Sequence, residues 1–131
     1  MIKYYLAEDI KKRAEEIARI LFPHARMNEV VCVRSRGTSS RGVIARCHGL
    51  GKIMQLALNR KGFYVLEFIS ERFDKLDEKE QEKVIIHEMM HIPKCFGGGF
   101  RHHDFVTQRN IDKLYLEYKR RRIDNENNFK L

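Results

Sequence analysis

The stretch from His87 to Phe105, HEMMHIPKCFGGGFRHHDF, decides how the rest of the chain is read. Its first two histidines stand four apart, so on a helix they share one face and can aim two imidazoles at one point. Glu88 follows the first histidine by one position, about 100° round the helix, beside that point rather than on it. Pro93 stops the helix, and the glycines at 97–99 must form a loop. The chain that returns from this loop carries two more histidines, His102 and His103.

There is a chemical reason for His-Glu-x-x-His on a helix. Two neutral imidazoles can hold one Zn²⁺ ion, and the carboxylate can take a proton from a water that the ion acidifies. The bland alternative is an accidental histidine pair, and three features weigh against it. The helix is marked independently, since Asp77 can cap it, Glu80 completes a capping box, and acids crowd its first turn. "VII" before the motif and "MM" inside it make the helix apolar, where histidines need satisfied partners. A further histidine cluster follows. A catalytic zinc takes three protein ligands and leaves one position open. The downstream candidates are His102, His103, Asp104, Asp112 and Glu117, with Cys95 a weaker one. His102 and His103 are adjacent, so only one of them is expected to ligate. His24 and His48 read as ordinary histidines.

Outward from this stretch, the chain reads as one α+β domain spanning residues 1–131. Leu6, Ile10, Ala14, Ile17 and Leu21 form one apolar stripe of an N-terminal helix, which Pro23 ends. "EVVCVRSRG", "VIARCH", "KIMQLAL" and "FYVLEFI" read as strands, with "NRKG" a hairpin loop before the last. They predict a small, mostly antiparallel sheet of three or four strands. A last helix starts at the histidine pair, with Val106, Ile111, Leu114 and Tyr118 on one side, and residues 123–131 read as a frayed tail.

Composition narrows the function classes. With 43% hydrophobic and 34% charged residues, the chain of 131 residues is expected to fold and dissolve. No apolar run approaches a membrane span and no signal-peptide pattern opens the chain, so a cytoplasmic protein with no membrane partner is expected. The odd set Cys32, Cys47 and Cys95 has no CxxC spacing and reads as free thiols in small apolar positions. A Cys32–Cys47 bridge between neighbouring strands is the alternative. Of the net charge of +8, residues 26–62 alone hold +7. Arg34 and Arg36 share a strand face by their spacing, and with Arg41 and Arg46 they could contact nucleic-acid phosphates or acidic protein. The competing reading is a solvated basic face.

At "HEMMH" followed by "GGGFRHHDF", with "SERFDKLDEKE" leading in, the sequence resembles a family of small metallopeptidases of archaea and phages. These are minimal zincins, distantly similar to the SprT-like group. The resemblance runs from about "CVRSRG" to the last helix and implies a minimal zincin-like fold. The family pattern has an arginine, one variable residue and a histidine after the glycines, which makes Arg101 the arginine and His103 the third ligand. The cysteine zinc ribbon of some SprT-like proteins is missing. The resemblance implies a zinc-dependent peptidase with one ion on His87, His91 and His103 and with Glu88 as general base. Its substrates would be proteins or peptides, with proteins on nucleic acid a candidate class. Arg101, His102, Tyr115 and Tyr118 are candidate oxyanion stabilisers. The alternative is a non-catalytic nucleic-acid-binding domain whose zinc is structural and closed by four protein ligands.

Overall fold

A computed structural model describes residues 1–102 and 105–129; His103 and Asp104 lie outside it. Its elements are β1 (Lys3–Leu6), α1 (Glu8–Leu21), a 3₁₀ turn (Met27–Glu29), β2 (Val30–Arg36), β3 (Ala45–Gly49), α2 (Lys52–Leu58), β4 (Tyr64–Ile69), α3 (Ser70–Phe73), α4 (Glu78–Met90) and α5 (Gln108–Phe129). The four strands lie in the order β1-β2-β4-β3. β1 on β2 and β3 on β4 are antiparallel, whereas the central β2–β4 pair is parallel. The α+β class holds, and the sheet is mixed.

The core lies on one face of this sheet. Tyr64, Leu66 and Phe68 of β4, with Val30 and Cys32 of β2, pack against Ile10, Ala14 and Ile17 of α1 and Ile85, Ile86 and Met89 of α4. Each fully buried side chain of this size contributes about 1.5–3 kcal/mol, so both helices are held by their apolar stripes. The N-cap of α4 is where the sequence predicts it: the Asp77 carboxylate accepts from the Glu80 backbone N–H at 2.8 Å. α5 completes the layer with Ile111, Tyr115 and Tyr118.

Several expectations change. Leu6 does not open the helical stripe; it ends β1 and is exposed, and α1 starts at Glu8. "KIMQLAL" is not a strand but α2. Leu, Met, Gln, Ala and Lys favour helix, and Asn59 takes the left-handed conformation, φ 51°, that closes one. α5 begins at Gln108 rather than at the histidine pair and continues to Phe129, through most of the segment read as a tail. All three cysteines are free. Cys32 and Cys47 both pair with Leu66, on opposite sides of β4, which puts them about 10 Å apart and beyond disulfide reach.

Candidate metal centre and cleft

The histidine motif lies at the C-terminal end of α4, where the helix crosses the sheet edge formed by β3. His87 sits in the last turn and His91 is the C-cap residue, still in helical conformation at φ −70° and ψ −19°. Their rings lie side by side, with centroids 5.2 Å apart and planes inclined by 35°. The i, i+4 spacing therefore does what the sequence predicts and brings the two imidazoles together.

His91 is oriented by the loop that follows. Its Nδ1 donates to the Arg101 carbonyl at 2.8 Å, and its own carbonyl accepts from the Arg101 N–H at 2.7 Å. The first bond selects the tautomer whose lone pair is on Nε2, the form a metal ligand needs. His87 and His91 thus suit a divalent ion. Among the described residues, no group of three or more His, Cys, Asp or Glu side chains is arranged to hold one. The expected third ligand, His103, and the reserve candidate Asp104 lie outside the described residues. Other candidates are engaged elsewhere: Asp112 pairs with Lys83, and Glu117 with Arg120. His102 is exposed, and so is Cys95, which is therefore not one of the buried thiols expected.

Glu88 points into the same cleft with only 5% of its surface exposed. Burial pushes its carboxyl up to about 7, because the charged form has lost water and no described residue hydrogen-bonds its side chain. Across the cleft, the Cys47 thiol is pushed up to about 12, first by burial and then by the Glu88 charge. Such a thiol stays protonated and unreactive.

The cleft encloses about 720 Å³. Gly42–Ile44 and β3 wall one side, Val84, His87, Glu88 and His91 wall the other, and Phe100–His102 close one end. Arg72 holds the first wall by donating to the carbonyls of Ser40 and Val43, the latter at 2.7 Å. The glycine loop is held by Tyr64, whose hydroxyl donates to Gly99 O and accepts from Gly98 N–H, both at 2.8 Å. The sequence carried no signal for Arg72 or Tyr64, because their partners are remote backbone atoms. Of the candidate oxyanion groups, Arg101 and His102 line the cleft, while Tyr115 and Tyr118 are buried with the core.

His24 does not line this cleft, whereas His48 does. His24 Nε2 lies 3.3 Å from the Ile92 carbonyl, and His48 Nε2 lies 2.8 Å from Glu67. Arg34, Arg36, Arg41 and Arg46, the arginines expected to meet phosphates, differ in their surroundings. Arg34 makes two hydrogen bonds to Asp9, at 2.7 and 2.8 Å, and also reaches Asp74. Arg46 faces Glu67, and Arg36 and Arg41 are exposed.

An α+β domain with a His-Glu-x-x-His helix beside a cleft and an edge strand has the features of a metal-dependent hydrolase. The chain belongs to the family described as "putative phage metallopeptidase", whose model matches residues 2–123. That membership supports a general metallopeptidase role and implies a metal ion. No curated protein and no solved structure matches the chain.

Proposed function

We propose that the protein is a zinc-dependent peptidase in which His87, His91 and His103 hold one ion and Glu88 is the general base. The observation that supports this most is Glu88, a buried carboxyl that lines the cleft beside two imidazoles. His103 follows from the arginine, one residue, histidine pattern after the glycines.

Zinc at this site would supply Lewis acidity, which acidifies a water and polarises a carbonyl. Glu88 takes the proton of the attacking water and returns it to the leaving amine. The outer edge of β3 offers backbone groups to an extended peptide, which lays the scissile bond over His87 and Glu88. Arg101 and His102, at the end of the cleft, are the groups available to the developing oxyanion. Exposed Arg36 and Arg41 would favour substrates that carry or bind nucleic acid. DNA affinity that does not fall as salt rises would count against this last point.

The central test is Glu88→Gln, assayed for bound zinc and for peptide cleavage. The variant is expected to keep its zinc and to lose about 10²–10⁴-fold in cleavage, whereas His87→Ala loses the zinc. Cleavage by Glu88→Gln at the wild-type rate would refute the mechanism. His103→Ala with undiminished zinc would move the third ligand elsewhere. X-ray absorption separates the non-catalytic reading, which requires four protein ligands, from an open site with three.

A further inference from the structure

α2 is an inverted amphipathic helix, with its apolar side turned away from the protein. At about 100° per residue, Leu56, Ile53, Ala57 and Met54 occupy one continuous arc of about 160°. Gln55 faces the other way, and its amide donates to the carbonyls of Leu50 and Gly97 at 2.7 and 2.8 Å. No residue of α2 is buried. Ile53 is 79% exposed, Leu56 83%, Met54 49% and Leu58 56%.

The charges around this tip have one sign. Residues 50–63 contain Lys52, Arg60 and Lys61 and no acid. Arg60 is paired with Glu29 and lies over the Phe63 ring, which leaves Lys52 and Lys61, both exposed, at either end of the helix.

We propose that α2 docks the protein peripherally on an anionic lipid surface, with Ile53, Leu56 and Met54 entering the interface and Lys52 and Lys61 meeting the headgroups. A convex apolar tip with cations at its ends has the pattern of an interfacial anchor. A second copy fits poorly, because a two-fold contact of this helix brings the lysines of the two copies together. Seven residues also span only about 10 Å, short of the roughly 800 Å² per partner in a stable interface. Gln55 ties the tip to the glycine loop, so a docked protein holds its cleft close to that surface. Only a membrane span leaves a long apolar run in a sequence; a seven-residue interfacial helix leaves none.

The test is flotation of the whole chain with vesicles of phosphatidylcholine alone or mixed equally with phosphatidylglycerol. The wild type is expected to float with the mixed vesicles and to remain behind with the neutral ones. Ile53→Glu with Leu56→Glu abolishes flotation without changing the melting temperature, since both side chains are already in water. Lys52→Gln and Lys61→Gln each weaken binding about fivefold. The proposal is overturned if the wild type floats with neither vesicle, floats equally with both, or floats as well with the double substitution. Self-association of the wild type that the double substitution removes would make a second copy the occupant and overturn it too. None of these readouts depends on zinc or on peptide cleavage, so failure here leaves the peptidase reading untouched.

Discussion

Glu67 and Glu88 are both buried, and their surroundings move them in opposite directions. Burial alone would raise Glu67, but hydrogen bonds from Ser35 at 2.6 Å and His48 at 2.8 Å, with the charge of Arg46, take it below the usual carboxylate range. A carboxylate whose folded value is lowered stabilises the fold above the unfolded value, and that stability is lost as pH falls through the folded one. Glu67→Gln is therefore expected to cost about 2 kcal/mol at neutral pH, with the gap closing in acid. Denaturant titrations at both conditions check this, and an equal deficit in acid would contradict it. Among the described residues Glu88 has no such donors, and burial raises it to about 7. Of the two, only Glu88 was legible in the sequence. Its partners lie within one helical turn, where spacing is geometry, whereas Ser35 and His48 reach Glu67 from 32 and 19 residues away.

At the level of elements, the glycine loop is bound more tightly than its three glycines suggest. Gly98 holds φ at +96°, and a Cβ there would stand 2.1 Å from the Leu50 carbonyl oxygen. Gly62, on the approach to β4, allows the loop in from the other side, since its Cβ would stand 1.9 Å from the Phe96 carbonyl oxygen. Gly62→Ala must displace backbone and is expected to cost about 3 kcal/mol. Gly51→Ala, with open space around it, should stay within about 0.5 kcal/mol. Thermal melts of the two variants test the contrast, and equal melting points would refute it. The helices α1 and α4 were legible because their apolar stripes face a core. α2 was not, because a run of seven residues, most of them apolar, is too short to separate helical from strand spacing. β1 is short and exposed throughout, so nothing marked it off from the helix that follows.

For the whole molecule, the proposed site would tie the end of α4 to the chain beyond the glycines. An ion bound only by the folded form stabilises it by about 2.7 kcal/mol at a hundredfold excess over Kd. For a domain of this size that is a rise of roughly 10 °C in Tm. Chelation should lower the melting point by this amount and zinc should restore it; an unchanged Tm would count against a site shared by α4 and the loop. The parallel β2–β4 pair has a further consequence. Between the ends of these two strands, residues 37–63 contain none of the fully buried apolar core, although Ile44, Ala45 and Cys47 pack against it. That segment contains β3, the wall before it and all of α2. Substitution within this one contiguous segment would therefore reshape the cleft wall and the apolar tip while leaving the histidine helix in place.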